Sequence, residues 1–283
     1  MKTQQNLPSV SCNNVAARQI LMVILLFMLP LFISAQADTL YAKRKVIPDG
    51  YNFWIYTPEN YEQMGDSTPV VFFLHGASLC GNDLSKVRRY GPLDAVKMGR
   101  KIPALIIAPQ NPGGSWKPDK LLDVLDWTLQ HYACDSTRVY VLGMSLGGYG
   151  TMDFCDAYPE RIAAGMALCG GTTHKDWQGL AQLPFWILHG TADRAVGIQQ
   201  SKRVVERLVV QDNDKRLRYD WLRGASHGAL ARIFYLEKTY EWLFAHRLTD
   251  ENRPVQREVN IGNGDFPNAY RNMTRRTNSL VVK

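Results

Sequence analysis

The chain has 283 residues, with 33 Lys and Arg against 26 Asp and Glu, and a formal net charge of +7. That length accommodates one α/β domain with a sizeable core. The positive excess is mild and no dense Lys/Arg stripe accompanies it, so no nucleic-acid partner is indicated.

Residues 1–37 read as a signal peptide. Lys2 and Arg18 supply positive charge, Ile20 to Ile33 is an apolar run interrupted by Pro30, and Ala35-Gln36-Ala37 offers a small-residue cleavage site before Asp38. The run is about 14 residues, short of the roughly 20 that a spanning helix needs, so no stable membrane anchor is expected. No cysteine follows at the cleavage point, which argues against a lipid-modified terminus. The expected destination is the periplasm or the outside of the cell. Cys12 lies in this leader, and Cys80, Cys134, Cys155 and Cys169 remain without framework spacing. Cys155 and Cys169 fall in a predicted helix and strand, where they read as small buried thiols.

Leu40 to Ile47 and Tyr51 to Tyr56 alternate like the arms of a hairpin, with Pro48-Asp49-Gly50 as its turn. Apolar strand runs follow at Val70–Leu74, Ala104–Ala108, Val139–Leu142, Ala163–Leu168, Phe185–Leu188 and Leu217–Leu222. Helical stretches between and after them cover Lys120–His131, Gly148–Tyr158, Ile198–Val210 and Leu230–Ala245. Continuous apolar strands alternating with amphipathic helices predict a mostly parallel sheet of about eight strands with helices on both faces. An antiparallel hairpin leading into such a sheet is the α/β-hydrolase plan, here over residues 38–248. Only about 16 residues separate Leu168 from Phe185, which leaves no room for a lid domain. Residues 249–283 are a polar, basic tail with Arg253, Arg257, Arg271, Arg275 and Arg276 and no clear periodicity. A segment wrapped on the domain, a linker and a disordered tail all fit it, and no role is assigned.

Gly143-Met144-Ser145-Leu146-Gly147 reads G-x-S-x-G between a strand and a helix. A tight turn there lifts the serine hydroxyl clear of the sheet at the amino end of a helix. A serine needs a base, and the base an orienting carboxylate, in the chain order Ser, Asp or Glu, His. Asp193 follows the strand end His189-Gly190, where parallel sheets carry functional groups. His227 lies in the loop Gly224–Gly228 before the last helix, whereas His246 ends that helix as a cap. His189 reads as a packing residue. Ser145, Asp193 and His227 are therefore the expected catalytic residues. The developing oxyanion needs two backbone N–H groups, expected from Leu146 and from Ala77 in the loop His75-Gly76-Ala77, with His75 bracing that loop.

Phe72-Phe73-Leu74-His75-Gly76-Ala77, Gly81-Asn82-Asp83, Ala108-Pro109-Gln110, Ser115-Trp116, Arg138-Val139-Tyr140, Gly143–Gly150, His189-Gly190 with Asp193, and His227 together carry a resemblance. They cover roughly residues 40–247 and resemble exported bacterial α/β-hydrolases. This group contains carbohydrate esterase family one, with feruloyl and acetyl-xylan esterases, and relatives described as predicted peptidases or phospholipase-carboxylesterases. The resemblance implies the same triad of Ser145, Asp193 and His227. The stretch Ala77-Ser78-Leu79-Cys80 departs from the family, whose members often have a glycine and charged residues there.

An open site suits a bulky or polymeric ester, so an oligosaccharide or polysaccharide ester is the expected partner. Trp116 and Trp177 lie in loops beside predicted strand ends, where flat rings can stack on a sugar or an aromatic acyl group, or pack as core. His174, in the loop after Leu168, opens toward the same side and is a further candidate for substrate contact. No metal-ligand cluster and no phosphate-cradling glycine loop is seen in the sequence, so no metal and no cofactor is expected. The reading is a serine carboxylic ester hydrolase working through an acyl-enzyme. A serine peptidase of the prolyl-oligopeptidase-like type is the alternative, and a non-catalytic binding domain ranks last.

Overall fold

The computed structural model describes residues 37–175, 177–271, 273 and 280–283. The candidate signal peptide, up to residue 36, lies outside the described residues. Strands β1 (Thr39–Lys43) and β2 (Phe53–Thr57) form the expected antiparallel hairpin, with Thr39 opposite Thr57 and Lys43 opposite Phe53. The connection is longer than a three-residue turn. Its chain reverses at Lys45 and Asp49, both at φ 53°, and Gly50 N–H closes on Ile47 O.

Six strands follow, all parallel to one another: β3 (Val70–Leu74), β4 (Leu105–Pro109), β5 (Val139–Met144), β6 (Ala164–Leu168), β7 (Phe185–Gly190) and β8 (Leu217–Leu222), with β4 antiparallel to β2 on its other side. The order across the sheet is β8-β7-β6-β5-β3-β4-β2-β1, and β9 (Val281–Val282) adds to β1 in parallel. The sheet has nine strands, not eight, because the end of the tail pairs with the first strand.

Burial on both faces explains why the sequence shows runs rather than alternation. Val71 and Phe73 point into one core with Ile106, Ala108, Trp186 and Leu188. Val70, Phe72 and Leu74 point into the other with Leu105, Ile107, Phe185 and Ile187. Helices cover both faces: α1 (Tyr61–Met64), α2 (Pro92–Lys97), α3 (Pro118–His131), α4 (Leu146–Ala157), α5 (Gln199–Val210), α6 (His227–Leu230) and α7 (Glu237–Phe244). Proline at the first position of α2 and α3 suits a residue with no N–H to satisfy. The single helix expected over Leu230–Ala245 is instead α6, a 3₁₀ segment at Ala231–Tyr235 and α7. Ile233, Phe234 and Tyr235 are buried in succession, which a one-sided helix cannot achieve. Between β6 and β7 the described residues form only one 3₁₀ turn, Gly179–Gln182.

The tail does not hang free over its described residues. Val259, Ile261 and Phe266 are buried in the first core. Arg253 donates to the carbonyls of Pro159, Ile162 and Ala163, and Trp242 Nε1 to that of Gln256 at 2.9 Å. Of the three possibilities left open for this segment, the described part is wrapped on the domain. No described helix is long and apolar enough to cross a membrane.

Candidate active site

The site stands above the carboxyl ends of the parallel strands, where strand dipoles and loop backbones converge. β5 ends at Met144, and Ser145 takes φ 61°, ψ −123° before α4 begins at Leu146. This is a strained conformation for a residue with a Cβ, and the surrounding backbone holds it. Ser145 N–H bonds to Leu168 O at 2.9 Å, and Tyr149 N–H to Ser145 O at 3.0 Å. Leu146 opens the helix, so its N–H has no carbonyl one turn earlier to bond.

Asp193 leaves the loop after β7 with its carboxylate fully buried. Oδ1 accepts from the N–H groups of Ala195 and Val196, each at 2.9 Å. Oδ2 accepts from His227 Nδ1 at 2.7 Å. Burial works against the charged carboxylate. The bonds from Val196, His227 and Ala195 outweigh it and hold Asp193 below the usual carboxylate range. Because Oδ2 can only accept, His227 carries its proton on Nδ1, which leaves Nε2 with a lone pair.

A cavity of about 340 Å³ is lined by Ser145 and His227 together with Gly76, Ala77, Ser78, Tyr90, Met144, Gly228 and Ala231. Sequence positions 76–78, 145 and 227–228 thus meet at one place. Behind the wall, His75 is buried with Nδ1–H on Gly76 O at 2.8 Å and Nε2 accepting from Asn111 N–H at 3.1 Å. Burial lowers its pKa to about 4, so it is a neutral brace for the loop that carries Ala77. His189 is likewise buried, against Ser201 Oγ at 2.7 Å and Val196 O at 2.9 Å, and supports the Asp193 loop.

Three candidate substrate contacts do not face this cavity. Trp116 is 2% exposed, edge-on to Tyr51 and His75, and offers no face to a ligand. It sits in a notch of α4 where a Cβ on Gly150 would come within 2.5 Å of its ring. His174 Nδ1 is held by Asp156 Oδ2 at 2.6 Å, and its carbonyl accepts from Trp177 Nε1 at 2.6 Å. Trp177 packs on the core behind α4. The loop that carries both is tied down by Asp153 and Asp156, not opened over Ser145.

Two residues at the site carry no motif. Tyr90 Oη accepts from Gly76 N–H at 2.6 Å. Cys169, at φ 41° beyond β6, places Sγ 3.5 Å from His227 Nδ1. Burial pushes its thiol far up, so it stays protonated beside the Asp193–His227 pair. Among the described residues Cys169, Asp193 and His227 have potential metal-ligand atoms within 4.8 Å of one another, but Nδ1 and Oδ2 are already spent on each other. All four described cysteines are free thiols.

No family model matches the chain. Among solved structures, a thermostable esterase superposes with a TM-score of 0.63 at 24% identity, covering 74% of this chain and 63% of that one. A feruloyl esterase module from Clostridium thermocellum, complexed with sinapinate, superposes with a TM-score of 0.57 at 15% identity, covering 76% and 91%. An S-formylglutathione hydrolase from Staphylococcus aureus gives 0.56 at 15%, covering 74% and 98%. The chain has the α/β-hydrolase fold. Its sequence is similar to acetylxylan esterase A of Aspergillus ficuum, 24% identical over 155 residues, 49% of this chain and 48% of that protein. It is also 24% identical over 139 residues to acetylxylan esterase A of Emericella nidulans, 44% and 43% of the two. The chain spans about half the length of the curated relatives it matches.

Proposed function

We propose that this α/β-hydrolase is an exported serine carboxylic ester hydrolase acting on acetyl or feruloyl esters of plant polysaccharides. The observation that carries the reading is Ser145, at φ 61°, sharing a cavity wall with a histidine whose Nδ1 is held at 2.7 Å by a buried carboxylate. His227 Nε2 takes the Ser145 proton as Oγ bonds to the ester carbonyl carbon. Asp193 fixes the tautomer and stabilises the resulting cation. The N–H groups of Ala77 and Leu146 receive the oxyanion. The alcohol leaves with the proton from His227, and water activated by the same nitrogen then releases the acid from Ser145. Likeness to acetylxylan and feruloyl esterases supports the substrate class, and residues 1–37 support export.

The test is an assay of purified protein on acetylated and feruloylated xylan fragments, methyl ferulate and a peptide anilide, with Ser145→Ala alongside. Turnover of the esters, lost in the variant, is expected. Turnover of the anilide alone would replace the reading with a peptidase, and undiminished activity in Ser145→Ala would remove the nucleophile.

A further inference from the structure

The hydroxyl of Tyr90 stands in the wall of the Ser145 cavity and is engaged on one side only. It accepts from Gly76 N–H at 2.6 Å, and among the described residues nothing accepts its own proton. Its ring is fixed edge-on to Phe73 at 5.6 Å and beside Phe234 at 6.2 Å, so the hydroxyl is aimed rather than swinging. Gly76 shows how near it comes to the nucleophile. A Cβ built there would lie 3.0 Å from Tyr90 Oη, 3.3 Å from Met144 O and 3.4 Å from Ser145 Cβ. The Tyr90 hydroxyl and the carbon that bears the Ser145 hydroxyl therefore both lie within 3.4 Å of one point beside Gly76.

We propose that Tyr90 is a catalytic residue that donates a third hydrogen bond, from a side chain, to the oxyanion formed at Ser145. The inference rests on the reading of Ser145 as nucleophile. As Oγ bonds to the carbonyl carbon, the C=O π pair moves onto oxygen and the serine proton passes to His227 Nε2. The phenol keeps its own proton throughout and gives only a hydrogen bond, which weakens again when the alkoxide departs with the proton from His227. Accepting from Gly76 N–H polarises the phenol and makes it a stronger donor toward the cavity. Burial, partly offset by that same N–H, pushes the Tyr90 phenol up to about 12, so it remains a donor wherever His227 can serve as base. Gly76 then has a spatial role: any side chain there would press on both Tyr90 and Ser145.

The test uses the full chain with Tyr90→Phe, and with 3-fluorotyrosine placed at the same position. A phenylalanine keeps the ring but cannot donate. kcat on p-nitrophenyl acetate is expected to fall at least about tenfold with KM little changed, since one oxyanion donor is worth about 10²–10³ in kcat. Fluorotyrosine is a stronger donor and a poorer acceptor, so kcat is expected at or above wild type. If Oη serves only to anchor Gly76 N–H, fluorination moves kcat toward the phenylalanine value, and that result overturns the proposal. So does wild-type kcat in Tyr90→Phe. Ser145→Ala separates the two readings: activity surviving there removes the nucleophile, whereas an inactive Ser145→Ala beside a fully active Tyr90→Phe removes only the role of Tyr90.

Discussion

A Cβ on Gly147 would lie 1.8 Å from the carbonyl oxygen of Leu74, closer than unbonded heavy atoms can approach. The first turn of α4 is thus pressed directly on the end of β3, and Leu74 is also registered opposite Gly143 at the end of β5. One backbone contact sets both the Ser145 turn and the start of the loop that carries Ala77. Gly147→Ala is expected to destabilise the fold by at least about 1–3 kcal/mol, since neither partner is a side chain that can swing away. Gly197→Ala, where nothing lies within 4 Å, should stay within about 0.5 kcal/mol. Urea unfolding of the two variants checks this, and equal stabilities would refute it.

Asp193→Asn tests the tautomer. An amide nitrogen facing Nδ1 drives the His227 proton to Nε2, which then cannot accept from Ser145. kcat is expected to fall by about 10⁴, as when a comparable carboxylate is neutralised in a serine protease. Thermal unfolding should remain cooperative. A loss of less than tenfold would show that Asp193 does not set the histidine.

The same carboxylate gives a pH signature. Asp193 ionises below the usual carboxylate range when folded, because its hydrogen bonds outweigh the cost of burial. An unfolded aspartate takes up its proton near about 3.9. The stability this group contributes is therefore fully present above that value and is lost as pH falls through the lower, folded one. The stability difference between wild type and Asp193→Asn should be widest above about pH 4 and should close in stronger acid. A difference that holds constant into stronger acid would contradict the linkage.

What the sequence made legible follows from range. The parallel strands were readable because burial on both faces leaves uninterrupted apolar runs, and the Ser145 turn because its motif is local. Asp193 and His227 came from chain order at strand ends. Trp116 misled because an aromatic residue in a polar loop looks like a platform, and its burial depends on the missing side chain of Gly150, 34 positions away. Tyr90 was invisible because no spacing rule links it to Gly76; the only local mark is Gly91 at φ 93° beside it. The tail lacked periodicity because it docks through scattered apolar residues and carbonyl contacts instead of an amphipathic face.

That docking predicts that residues after 248 are part of the stable domain. Phe266 is 6% exposed, and Val259 and Ile261 are buried with it in the core that also holds Trp186, Trp242 and Leu243. Arg253 joins the segment to three carbonyls ahead of β6. Phe266→Ala is expected to cost about 3–5 kcal/mol, the usual range for emptying a buried aromatic site. Removal of everything after Leu248 should cost more, because it also bares Trp242 and leaves the carbonyls of Pro159, Ile162 and Ala163 without the guanidinium. Denaturant unfolding of the two variants measures both effects. A truncated chain as stable as the whole would show that the segment lies on the surface without contributing to it.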